Sequence, residues 1–158
     1  WLTGVAVPKT PLPPADLVVS PNPDCLDPAV VQYRIVRPDG VTVCRYPRYR
    51  ETLPSGVSYD VLDLFPTPQD NTPPMIVPEG HIFLMGDNRD NSEDSRFPAE
   101  MGGLAMLPIE NLVGRAEFTT FSLDGSTSLN PLSWWGALRG DRAFMSLRPQ
   151  VSAPPAKN

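Results

Sequence analysis

The sequence predicts an all-β chain: antiparallel sheets built from hairpins and proline-rich loops, with little helix. Three features carry that expectation. Twenty-one prolines and eleven glycines among 158 residues leave little room for a long helix. Short runs of alternating apolar and polar residues, the period of a half-buried strand, recur along the chain. Between those runs stand turn residues with a mechanism of their own.

Residues 1–7, from Trp1 to Val7, read as a strand already under way, with neither an initiator methionine nor a polar lead, so a longer parent chain is expected. Prolines at 8, 11, 13, 14, 21 and 23 argue against ladder pairing from Pro8 to Asp27. An extended surface connection is expected there, with only Leu17, Val18 and Val19 buried. Residues 30–36 and 41–46 are β-rich and flank Arg37-Pro38-Asp39-Gly40, whose Pro-Asp-Gly order suits a tight turn and predicts a hairpin. A second hairpin follows, with Tyr49 to Leu53 and Val57 to Leu62 around Pro54-Ser55-Gly56. Residues 65–74 are a proline-broken loop.

The run His81 to Met85 is apolar and aromatic, bounded by glycines, and reads as a strand entering the core. Residues 111–121 are read as the last strand, with Val113, Ala116, Phe118 and Phe121 alternating imperfectly with Arg115, Glu117 and Thr119. A flexible stretch is expected at 125–130 and a flexible tail at 149–158, which leaves one domain over 1–148. There is no internal repeat.

A chain of this length can bury a core of its own. Its net charge of −5, with no basic stripe, argues against nucleic acid as a partner. No apolar run approaches the roughly 20 residues that span a bilayer.

The densest chemistry lies between Asp87 and Arg96: four acids, two arginines, two asparagines and two serines in ten residues. Such a segment must satisfy its donors and acceptors internally or serve a site. A solvated turn held by Asx-type bonds is one reading. A calcium loop is another, but that template wants glutamate at its twelfth position, and counting from Asp87 or Asp90 gives Pro98 or Met101. No metal is expected.

The third reading is by resemblance. Gly86-Asp87-Asn88-Arg89-Asp90-Asn91-Ser92-Glu93-Asp94-Ser95-Arg96 resembles the Gly-Asp-Asn-x-x-x-Ser-x-Asp-Ser-Arg box of type I signal peptidases, also called leader peptidases. Val77-Pro78-Glu79-Gly80 before it and Pro108 to Ala116 after it are similar to the family's usual neighbours. Arg50-Glu51-Thr52-Leu53-Pro54, with Gly56 and Tyr59, resembles an insertion common in signal peptidases of alphaproteobacterial type, and Trp134 to Phe144 resembles the closing segment of some members. The departure falls between Arg96 and Pro108, where the lead-in is longer than usual and a small insertion or altered turn is expected.

The resemblance implies the C-terminal part of the catalytic region of a membrane-bound serine endopeptidase. That enzyme removes leader peptides from exported preproteins on the outer, periplasmic face of the bacterial cytoplasmic membrane, with no cofactor. The membrane surface would be reached through an N-terminal anchor outside this chain. Its nucleophilic serine is activated by a neutral lysine, and such a lysine needs apolar burial to lower its pKa. The lysines here are Lys9, set among prolines, and Lys157, near the end; neither has an apolar strand around it. His81, the sole histidine, reads as a packed residue and argues against a Ser-His-Asp triad. Nucleophile and base are therefore expected upstream.

By the same resemblance Ser92 would orient the lysine amine, and Asp94 and Arg96 would form an ion pair holding the loop. Their spacing of two places both side chains on one face of an extended segment, although a plain surface pair fits as well. Gly86 would permit close backbone approach. For Asp87, Asn88 and Arg89 loop shaping and substrate contact are both open. Cys25 and Cys44, the only cysteines, would lie in an oxidising compartment. A disulfide closing a loop of roughly 20 residues and two separate buried thiols remain alternatives. The rival to the enzyme is a non-catalytic relative that kept fold and box as a binding or assembly module.

Overall fold

The computed structural model describes residues 4–21, 23–123, 127, 129–130 and 132–151. Residues 1–3 of the strand expected over 1–7, residues 125, 126 and 128 of the stretch expected to be flexible, and the tail beyond Val151, with Lys157, lie outside the described residues. What is described is all-β: strands β1 (Lys9–Val18), β2 (Arg34–Val36), β3 (Thr42–Thr52), β4 (Val57–Leu62), β5 (His81–Ile82) and β6 (Leu107–Pro108), the five-residue helix α1 (Ser133–Ala137), and β7 (Gln150–Val151), joined by short 3-10 turns. The main sheet runs β1-β3-β4-β7 with β2 beside β3, while β5 and β6 form a separate ribbon. Among the described residues no helix is long and apolar enough to cross a membrane.

The chain folds as two compact units, with the boundary falling inside β1 and between Tyr46 and Pro47 of β3. In the unit holding residues 13–46 and 116–150, the β2–β3 hairpin pairs Arg34 with Cys44 and Val36 with Thr42. Its turn closes through the Arg37 amide on the Val41 carbonyl (2.9 Å), and the Asp39 carboxylate accepts the Val41 amide (3.1 Å). Val43 and Cys44 are fully enclosed, and Tyr46 meets Tyr33 edge to face with centroids 5.7 Å apart. Cys44 is bridged to Cys25, with Cα atoms 6.1 Å apart.

In the other unit the β3–β4 hairpin pairs Arg48 with Leu62 and Thr52 with Ser58, closed by the Leu53 amide on the Val57 carbonyl (2.8 Å). Alternation gives its faces different tasks. Arg50 and Asp60 form an ion pair on one face. On the other, Tyr49 and Glu51 stand opposite Val61 and Tyr59, with Val61 and Glu51 buried.

Four sequence expectations change. Prolines 11, 13 and 14 do not prevent a strand: β1 lies at the edge of the sheet, where a missing amide costs no ladder bond on the open side. Nor are Leu17, Val18 and Val19 buried; Val18 is exposed. The strand expected from His81 to Met85 stops at Ile82, because both backbone groups of Leu84 are taken by Ser95, whose hydroxyl accepts the Leu84 amide and whose amide donates to the Leu84 carbonyl, each at 3.0 Å. Residues 111–121 form no strand. A 3-10 turn occupies Ile109–Asn111, and only an isolated bridge joins Phe118 to Ser146. Alternation stabilises a strand only where a neighbouring strand completes the ladder.

Candidate functional site

Residues 84–97 fold back on themselves around one carboxylate. Asp94 Oδ1 accepts the Arg96 amide (3.1 Å) and Nε (2.8 Å), while Oδ2 accepts the Gly86 amide (2.9 Å) and Arg96 Nη2 (3.0 Å). The Arg96 and Asp94 side chains are 4% and 5% exposed. Burial pushes the Asp94 carboxyl up, the largest single effect, but the Arg96 guanidinium and the two amides outweigh it and hold the group below its ordinary value. Arg96 Nη2 also donates to the Arg89 carbonyl at 2.5 Å, and Nη1 lies 3.9 Å from Asp70. One ion pair thus closes the loop at its start, middle and end.

Ser92 is half-buried and ends a 3-10 turn over Arg89–Asn91. Its Oγ donates to the Asn88 carbonyl at 2.7 Å. With its proton committed, the oxygen offers lone pairs, so toward a further partner the hydroxyl acts as an acceptor. A hollow of about 450 Å³ opens beside it, lined by Asp90, Asn91, Ser92, Glu93 and Phe97. Gly86 approaches so closely that a Cβ there would overlap the Ser92 side chain.

The remaining box residues fasten the loop to the hairpin. The Asp87 carbonyl accepts the Leu62 amide (2.8 Å), Asn88 bridges to Leu62, and Asp90 Oδ2 accepts the Leu64 amide (2.5 Å). Arg89 reaches Glu51 with both terminal nitrogens, Nη1–Oε1 2.7 Å and Nη2–Oε2 2.5 Å, and each side chain is 10% exposed. The Tyr59 hydroxyl is raised above its ordinary pKa by burial first, then by the Glu51 carboxylate. Asn88 Oδ1, Arg89 Nε and Asp90 Oδ1 are buried without a hydrogen-bond partner among the described residues. The longer lead-in after Arg96 is a compact 3-10 turn, Ala99–Met101, with Gly102 left-handed at its end.

Lys9 lies at the start of β1 with its ammonium on Asp63 and over the Tyr49 ring, 4.6 Å from the centroid. Burial lowers its pKa, opposed by nearby carboxylates of which Glu51 is the strongest. Among the described residues Asp63, Asp70 and Asp90 place carboxylate oxygens within 4.8 Å of one another, close enough to hold a cation, and Lys9 already supplies positive charge at Asp63. His81 Nδ1 lies 3.0 Å from its neighbour's carbonyl, that of Glu79.

The sequence places Glu51 and Tyr59 only in the segment that resembles the alphaproteobacterial insertion, with no role at the site, and it does not single out Asp70. The available signal was period-two alternation, which puts the acid Glu51 on the face shared by Tyr49, Tyr59 and Val61.

The pattern of the family described as signal peptidase, peptidase S26, matches residues 38–121. Curated relatives include the signal peptidase I of Rickettsia typhi, 36% identical over 104 residues, which are 61% of this chain and 34% of the relative. That of Rickettsia prowazekii is 38% identical over the same shares, and that of Rickettsia bellii is 36% identical over 98 residues, 58% of this chain and 30% of the relative. The chain spans about a third of the length of the curated relatives it matches. No solved structure matches it at a significant level.

Proposed function

The chain belongs to the signal peptidase family, peptidase S26, and on that premise we propose that it is the C-terminal part of the catalytic region of a type I signal peptidase. The full-length enzyme would cut leader peptides from exported preproteins at the outer face of the cytoplasmic membrane, held there by an N-terminal anchor. The observation that carries the reading is the state of Ser92: its hydroxyl proton is spent on the Asn88 carbonyl, so its oxygen can accept a hydrogen bond from an amine in the adjoining hollow.

That is the arrangement a Ser/Lys mechanism needs. A neutral lysine must turn its nitrogen lone pair toward the nucleophilic serine, and an acceptor that takes one of its N–H groups fixes that orientation. Ser92 fills this role. The lysine then takes the serine proton as the serine oxygen attacks the scissile carbonyl, and returns it to the leaving amine. Asp94 and Arg96 hold Ser92 in place through Gly86 and Arg89, and Asp87, Asn88 and Arg89 shape the loop. On this reading nucleophile and base lie in an upstream segment, and Lys9, held by Asp63 and over the Tyr49 ring, is not the base.

A leader-cleavage assay tests this. The 158-residue chain alone should be inactive and the full-length protein active. Cleavage by the chain alone at a comparable rate would place the chemistry elsewhere. An intact gene without a Ser-Met-x-Pro-like segment and a Lys-Arg strand before Trp1 would favour the non-catalytic binding module.

A further inference from the structure

We propose that Glu51 is a positioning residue for this reaction: by holding the Arg89 guanidinium it sets the 3-10 turn that aims the Ser92 hydroxyl. The inference rests on the reading of Ser92 given above and extends it to a residue 41 positions away, on β3.

Arg89 opens the turn that Ser92 ends. The carbonyl just before it, Asn88, accepts both the Asn91 amide (3.1 Å) that closes the turn and the Ser92 hydroxyl (2.7 Å). The direction of the Ser92 oxygen is therefore set by the placement of the 88–89 peptide. Arg96 reaches the Arg89 carbonyl, but the Arg89 side chain depends on Glu51: Nη1 and Nη2 both bond its carboxylate, and Nε has no hydrogen-bond partner among the described residues. A buried guanidinium held bidentately is fixed in orientation as well as in position. Glu51 is itself placed by its ladder pairing with Tyr59 within the β3–β4 hairpin. The rigid β3–β4 hairpin is thereby connected to the Ser92 turn through a side-chain fork, in addition to the main-chain bond from Leu62.

The chemistry explains why charge is needed. Glutamine at 51 keeps the volume but presents one acceptor and one donor to a guanidinium that has only donors, so one of the two bonds is lost. Arg89 would then reorient toward other acids, and the turn would move with it.

The test uses the full-length protein with a leader-peptide substrate and compares Glu51→Gln, Glu51→Asp and Ser92→Ala. For Glu51→Gln, kcat should fall tenfold or more, the order expected when a catalytic group is displaced by about an ångström. KM should stay within about twofold, and the acid limb of the kcat/KM profile should move in the same direction as in Ser92→Ala. Glu51→Asp, which retains the charge, should recover part of kcat. A purely structural role would lower the active fraction without moving the limb. Wild-type kcat and profile in a folded Glu51→Gln variant, with Ser92→Ala impaired, would overturn the Glu51 assignment alone. Wild-type behaviour of Ser92→Ala would overturn the underlying reading. If Glu51→Gln does not fold, the double variant Glu51→Met/Arg89→Met removes both buried charges together; unimpaired kcat in it would equally overturn the proposal, and a lowered kcat with unchanged KM supports it.

Discussion

Arg96→Ala should be the most destabilising single substitution in the box, and a second ion pair in the same chain provides the control. Arg96–Asp94 and Arg50–Asp60 have nearly the same geometry: Nε–Oδ1 2.8 and 2.7 Å, Nη2–Oδ2 3.0 and 3.2 Å. They differ in burial, at 4% and 5% exposed for the first and 37% and 33% for the second. Removing Arg96 leaves the Asp94 charge enclosed with only the Gly86 and Arg96 amides, and it frees the Arg89 carbonyl. Breaking a buried pair from one side costs about 3–5 kcal/mol. With a urea slope near 2 kcal/mol/M the unfolding midpoint should drop by about 1.5–2.5 M. Arg50→Ala should move it little, since solvent screens that pair. Asp94→Leu/Arg96→Met, which removes both charges, should lose less than Arg96→Ala, because the cost lies in stranding a charge rather than in losing the contact. Urea melts followed by circular dichroism measure all four proteins. An Arg96→Ala shift no larger than that of Arg50→Ala would refute the argument that burial gives the Asp94–Arg96 pair its weight.

Gly86→Ala should leave the chain folded but lower turnover of the full-length enzyme, because the new methyl overlaps the Ser92 side chain and turns the hydroxyl away; unchanged kcat would contradict that close approach. Reducing the Cys25–Cys44 bridge releases a loop spanned by a sequence separation of 19 and should cost about 3 kcal/mol, read as a lower melting midpoint with reductant than without. Acid should act through Asp94: its folded pKa lies below the ordinary 3.8, so its contribution is complete above that value and is lost as pH falls through the folded value. The stability gap between wild type and Asp94→Asn should therefore be constant near neutrality and close only below about pH 4, and a gap that closes already by pH 6 would contradict this assignment.

The hairpins were legible because their turns depend on local chemistry. Asp39 folds onto the Val41 amide two residues on, and Gly40 and Gly56 take positive φ. The proline-rich segment misled because the same residues are compatible with a connection or with an edge strand, and only the neighbouring β3 decides between them. His81 to Met85 and residues 111–121 misled for a related reason. Period-two alternation describes what a strand would bury, but a ladder needs a partner, and at Leu84 the partner is the side chain and amide of Ser95. Within the site, the pairing of Asp94 with Arg96 is a local matter of spacing. The Glu51–Arg89 fork joins residues 38 apart and depends on how the hairpin faces the loop, which no local pattern specifies.

The most direct test of the account is steady-state leader cleavage by the full-length protein carrying Ser92→Ala. If the Ser92 oxygen holds the base, kcat should fall by about 10²- to 10⁴-fold, the range for a misoriented general base, with KM nearly unchanged. Wild-type kcat in a folded Ser92→Ala protein, or a loss confined to KM, would contradict the role given to Ser92 and to the loop built around it.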